Sequence, residues 1–259
     1  MSILTKSIGS LSLAIGLLAA SRPAAAGEVY DGFEGGKPGN IWDMQRSTPG
    51  AVVVQSAVVR AGHGAAKITV HEGDVAEGIG PLQSKETERD ELLERKDLVT
   101  REGGAVAYAF SIFLPNDFPV VPTRLVLAQW KQYNRGRTAL VDNPLVALRY
   151  AGGELSVTLQ TGHKKQTLFR TSEDVRGRWL DFVFHLRFTR RPEGLMRAWL
   201  NGRQLCDYHG VTAYSEEYGY GKDGWFYFKM GLYRDRMREP MTAYFDEYRK
   251  RPLTEAESK

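Results

Sequence analysis

The run Tyr227-Phe228-Lys229-Met230-Gly231-Leu232-Tyr233-Arg234 gathers side chains that can move a proton. As a β-strand it sends Tyr227, Lys229, Gly231 and Tyr233 to one face and Phe228, Met230 and Leu232 to the other. The second face is an apolar core face. The first sets two phenols and an ammonium around a glycine, which would let a bulky ligand approach the backbone. A phenol beside a cation suits proton abstraction from a sugar ring. The competing explanation is the solvated face of an antiparallel sheet, where a Tyr/Lys mixture has no function.

Two more segments shift the balance, Arg89-Asp90-Glu91-Leu92 and Gln129-Trp130-Lys131. Alternation pairs Arg89 with Glu91, and Gln129 with Lys131, on one face each, just as it pairs Lys229 with Tyr233. Trp130 then faces the core.

The elements that must carry these pairs read as strands. Residues 180–188 alternate Leu, Phe, Phe, Leu and Phe with polar or smaller residues, a period of two. Residues 195–200 run into Asn201-Gly202 and out through 203–208, a hairpin whose turn accepts positive φ. A second hairpin joins 145–150 to 155–160 through Gly152-Gly153, and 106–114 is a further strand. Only 86–96 has a composition compatible with a helix, and its charges suit an exposed strand or loop equally. No linker or internal repeat is visible. The expected fold is all-β, a two-sheet antiparallel sandwich of β-jelly-roll (concanavalin-like) type.

Residues 1–26 stand apart. Lys6, an apolar run over 8–20 and Ala24-Ala25-Ala26 form the three regions of a secretory signal peptide. The expected mature chain, 27–259, is a single domain exported to the periplasm or beyond, with no membrane contact after cleavage. Removing Lys6 and Arg22 from the 35 basic residues leaves 33 against 31 acidic ones, a net of +2, too little to indicate nucleic acid. Charge is instead local: Arg124, Lys131, Arg135 and Arg137 form one basic strip, and Lys229, Arg234, Arg236 and Arg238 another. Two such strips in an exported protein suit an anionic polysaccharide. Cys206, the sole cysteine, permits no internal disulfide and reads as a packed strand thiol. The five histidines lack metal-ligand spacing.

The three polar pairs, in this order and spacing, resemble the jelly-roll polysaccharide lyases, the alginate lyases together with the heparin lyase I and glucuronan lyase group. The resemblance extends to Trp199-Leu200-Asn201-Gly202 and Tyr244-Phe245-Asp246. It implies β-elimination at a uronate: the carboxylate is neutralised, H5 is removed and O4 leaves protonated. It assigns Tyr233 as the catalytic tyrosine with Lys229 beside it, and Gln129 and Arg89 as carboxylate ligands. Lys131 stands where many relatives carry a histidine base. A lysine there serves either as a neutraliser, leaving Tyr233 to work alone by syn elimination at glucuronate or mannuronate, or as the base itself.

Glu91, Asn134, Arg137, Tyr227 and Arg234 are further candidate substrate contacts. Tyr133, Tyr220 and Trp225 are candidate stacking surfaces, with plain packing as the alternative. The chemistry requires no cofactor, and the sequence does not indicate a structural calcium. A monomer is expected. The hydrolase alternative lacks an alternating Glu-x-Asp-x-Glu motif. The stronger rival is a non-catalytic, lectin-like protein that binds acidic glycans.

Overall fold

The strands build two layers, some alternating between buried and half-exposed residues and others buried along most of their length. The computed structural model describes residues 27–76, 86–134, 139–222 and 224–259. The expected signal peptide lies outside them. In chain order the strands are β1 (Val29–Asp31), β2 (Trp42–Gln45), β3 (Val52–Gln55), β4 (Ala65–Val70), β5 (Thr87–Glu94), β6 (Thr100–Arg101), β7 (Ala105–Phe113) and β8 (Leu125–Gln132). They continue as β9 (Val146–Ala151), β10 (Glu154–Gln160), β11 (Lys165–Thr171), β12 (Trp179–Arg187), β13 (Leu195–Leu200), β14 (Arg203–His209), β15 (Trp225–Asp235) and β16 (Met241–Pro252).

They form two antiparallel eight-stranded sheets, the sandwich that the sequence leads one to expect. One has the order β14-β13-β12-β7-β16-β4-β3, with β1 also on β16; the other has β11-β10-β9-β8-β15-β5-β2, with β6 also on β15. Phe226, Phe228, Met230 and Leu232 of β15 are fully buried between the sheets. Trp130 joins them, its ring 4.5 Å from Phe184 and 4.9 Å from Phe228. This aromatic core fixes which face of β8 and β15 turns outward.

Both expected hairpins form. Asn201 and Gly202 (φ 48° and 78°), and Gly152 and Gly153 (φ 58° and 83°), supply the positive φ values that a tight two-residue turn requires. Segment 86–96 departs from its expected exposure. It is neither a helix nor an exposed strand: most of it is β5, held between β15 and β2, with Glu88, Asp90, Glu91 and Glu94 all buried. Each acid has a partner, which is what lets so charged a strand sit inside. Glu88 meets Arg234 (2.8 Å), Asp90 accepts from the Ser47 amide (2.6 Å), and Glu94 meets Lys250 (2.6 Å).

Candidate active site on the second sheet

Register brings the three polar pairs together on the outer face of the second sheet. In the β15–β5 ladder Tyr233 lies opposite Arg89 and Gly231 opposite Glu91. In the β15–β8 ladder Lys229 lies opposite Gln129 and Tyr227 opposite Lys131. Gly231 (φ 148°) makes this possible in a different way from the one its sequence context suggests. A Cβ there would lie 2.4 Å from the Asp90 carbonyl oxygen and 2.7 Å from Glu91 Cα. The close approach is that of β5, not of a ligand, and it sets Glu91 beside Lys229.

Glu91 is the hub. Gln129 Nε2 donates to its Oε1, Lys229 Nζ lies 3.5 Å from its Oε2, and Arg89 Nη1 lies 3.6 Å from the same oxygen. Burial alone would raise the Glu91 pKa, but Lys229, Arg89 and the Gln129 amide outweigh it and the pKa falls. Glu91 thus holds three other side chains in place, a different part from the substrate contact expected of it. Lys229 also donates to Gln45 of β2, a neighbour that its sequence context did not reveal. Burial, followed by repulsion from Arg89 and Lys131, depresses the Lys229 pKa to about 8 despite the pull of Glu91.

Tyr233 sits among cations. The Arg89 guanidinium carbon lies 4.0 Å from its ring centroid and that of Arg124 lies 4.9 Å away. The Nε atoms of both arginines are buried and make no hydrogen bond among the described residues. Arg149 of β9 lies in the same field: burial and Arg124 lower its pKa, and Tyr233 raises it. Sequence reading missed Arg149, although its parity, opposite to that of core residues Leu148 and Tyr150, was the available signal. Burial, then Asp142 and Glu91, push the Tyr227 pKa well up, so Tyr227 remains a neutral phenol.

The other candidates separate clearly. Lys131 Nζ is 2.9 Å from Asp142 Oδ1. Arg234 does not join the outer cluster: its guanidinium is fully buried at the end of the inner face, on Glu88 and on the carbonyls of Glu239 and Met237. It shares the parity of Leu232, so it points away from Tyr233. Asn134 lies half-buried beyond β8, and Arg137 lies outside the described residues. Tyr220 is packed inside, its hydroxyl donating to the Val141 carbonyl, so it offers no stacking surface. Tyr133 and Trp225, with Lys96 and Val99, line an open cavity of about 170 Å³. Cys206 is half-buried, and burial pushes its thiol up to about 11. Among the described residues, no group of three or more His, Cys, Asp or Glu is arranged to hold a metal ion.

A family model described as polysaccharide lyase matches residues 31–249. Among solved structures, the chain is similar to an endo-β-1,4-glucuronan lyase from the fungus Trichoderma reesei, at 19% identity and a TM-score of 0.65 over 83% of this chain and 92% of that one. It is also similar to an alginate lyase of polysaccharide lyase family 7 (15% identity, TM-score 0.54, 80% of this chain and 84% of that one). A third is an alginate lyase from Corynebacterium sp. (17% identity, TM-score 0.52, 80% of this chain and 82% of that one). At these identities the structural likenesses establish a shared fold. A search of curated proteins finds no match.

Proposed function

Because the chain belongs to the polysaccharide lyase family, we propose that it cleaves a uronate-containing polysaccharide by β-elimination on the outer face of its second sheet. The observation that carries this reading is Tyr233 between two guanidinium groups whose Nε donors are buried and unpaired. Buried donors of that kind favour an anionic partner.

In the proposed reaction Arg89 and Gln129 hold the uronate carboxylate, and Lys229 adds positive charge. Together they stabilise the enolate-like anion formed when H5 departs as a proton. The Tyr233 phenolate takes that proton. The electron pair left at C5 forms the C4–C5 double bond, the C4–O4 bond breaks, and O4 leaves with a proton returned from Tyr233. Lys131, engaged with Asp142, serves as a charge neutraliser rather than the base. One residue working from one side of the ring is syn elimination, which suits glucuronate or mannuronate. These steps use side chains alone. Residues 1–26 direct the protein out of the cytoplasm, where such polymers are met; among the described residues no helix is long and apolar enough to cross a membrane.

The test is the ultraviolet absorbance of the new double bond with glucuronan, alginate blocks and heparin-type glycans. Wild type is expected to respond to glucuronan or mannuronate blocks. Tyr233→Phe is expected to lose about 10³-fold or more in kcat while still binding the polymer. Full activity in Tyr233→Phe would overturn the mechanism. Binding without any absorbance change would favour a lectin-like protein.

A further inference from the structure

Among the described residues, positive charge beyond Tyr233 continues in one direction only. Across the strands of the second sheet, Tyr233 lies opposite Val126, Val126 opposite Arg149, and Arg149 opposite Ser156. Arg124, one residue ahead of β8, reaches the Tyr233 ring. Arg149 Nε donates to Thr158 Oγ1 of β10 (3.2 Å), and Thr158 lies opposite Thr167 of β11. Lys165 shares the face of Thr167, two residues away along β11. Arg124, Arg149 and Lys165 repel one another across this row: after burial, Arg149 and Arg124 lower the Lys165 pKa, and Arg124 lowers that of Arg149. Among the described residues Arg124 has one counter-ion, Asp235, at 2.6 Å. Among the described residues neither Arg149 nor Lys165 forms an ion pair.

Among the described residues the opposite direction lacks this charge. Past Arg89 and Glu91 the next strand is β2, whose outward residues are Gln45, bonded to Lys229, and Asp43. Arg46 turns back onto Met44 and Pro49. Adjacent strands lie about 4.8 Å apart, so the four steps from β15 to β11 cover roughly 19 Å, a span of several sugar rings. Like charges lined up at that spacing are stabilised by a ligand whose own charges repeat along its length.

Resting on the elimination reading above, we propose that Arg124, Arg149 and Lys165 form a one-sided anion track. It holds the carboxylates of consecutive uronates on the β9–β11 side of the scissile linkage. The enzyme therefore requires adjacent charged sugars on that side of the break and tolerates neutral ones on the β2 side.

Lys165 is exposed, so its replacement leaves the fold intact, and it is the point of test. On the polyuronate that wild type cleaves, Lys165→Gln is expected to raise KM about fivefold, with the loss in KM rather than kcat. Lys165→Glu is expected to raise it further, and added salt to shrink both effects. Lys67→Gln, on the other sheet, is the control and is expected to match wild type. Partial reduction of the carboxylates to alcohols should weaken wild type more than Lys165→Gln. An effect confined to sulfated heparin-type glycans would overturn the carboxylate assignment and make the track a sulfate reader.

An unchanged KM for Lys165→Glu on every cleaved polymer would overturn the track itself. Should wild type cleave nothing, the elimination reading fails separately and titration of polyuronate decides: about fivefold weaker binding by Lys165→Gln supports the track, and equal binding refutes it.

Discussion

Two of the buried glutamates of strand β5, Glu91 and Glu94, face opposite sides of the second sheet, and each meets a lysine. Glu94 faces inward. Lys250 of the other sheet lies 2.6 Å away, and the Tyr248 hydroxyl and Phe228 amide donate at 3.2 Å each. Lys250 also donates to the Leu98 carbonyl. Glu91 faces outward and meets Lys229 and Arg89 at 3.5 and 3.6 Å, along with the Gln129 amide. At Glu94 burial wins and the pKa rises; at Glu91 the two cations win and it falls. The inward pair is closed, one acid to one cation, and ties the sheets together. The outward cluster has one acid for two cations and keeps positive charge in reserve, the charge that the proposed reaction would use. Residue type and strand are shared, so what separates a clamp from a site is the balance of charge around the acid.

Substitutions at the two glutamates should therefore act on different observables. Glu91→Gln is expected to lower kcat about 10²–10³-fold with the smaller loss of stability. Glu94→Gln, which leaves Lys250 buried and unpaired, is expected to lower the unfolding free energy by about 3 kcal/mol or more while activity per folded molecule is kept. Rate assays and urea midpoints measured on both proteins check this, and a reversed pattern would break the comparison.

Next in size is a pH effect from Lys229. Its folded pKa of about 8 lies below the unfolded value near 10.4. The unfolded chain therefore binds more protons between those values, and stability rises with pH across that window. Activity should run the other way, falling above about pH 8 as the ammonium is lost. In Lys229→Arg that alkaline limb should move upward, and the stability rise should flatten. A pH–rate profile with no limb near 8 would remove Lys229 from the site's charge reserve. The smallest effect concerns Gln45, which accepts from Lys229. Gln45→Ala should shift the limb downward by less than about one unit.

Sequence made legible those features that repeat locally. Period-two burial located β12 and β15, Asn201-Gly202 and Gly152-Gly153 set the turns, and the facing polar pairs pointed to Arg89, Glu91, Gln129, Lys131, Lys229 and Tyr233. Pairing between distant strands was not legible. Gln45 arrives from β2 with nothing in its own neighbourhood to mark it, and Arg149 arrives from β9, where parity turns it outward without showing that it lies near Tyr233. The same limit explains β5: four acids in eight residues look like surface until their partners Arg234, Ser47, Lys229 and Lys250 are known. Arg234 failed for a simpler reason, since its parity already set it with Leu232. Gly231 was singled out correctly as a point of close approach, but what approaches is backbone.

The place of β16 has a consequence for how the chain is made. This last strand lies in the middle of its sheet, between β7 and β4, with β1 also on it. Until it leaves the ribosome, β7 and β4 have no neighbour in common and the sheet has a gap at its centre. Such distant pairing slows folding, because the centre of the sheet closes only when strands far apart in the chain have met. A late-closing sheet thus leaves the edges of β4 and β7 open until β16 docks between them.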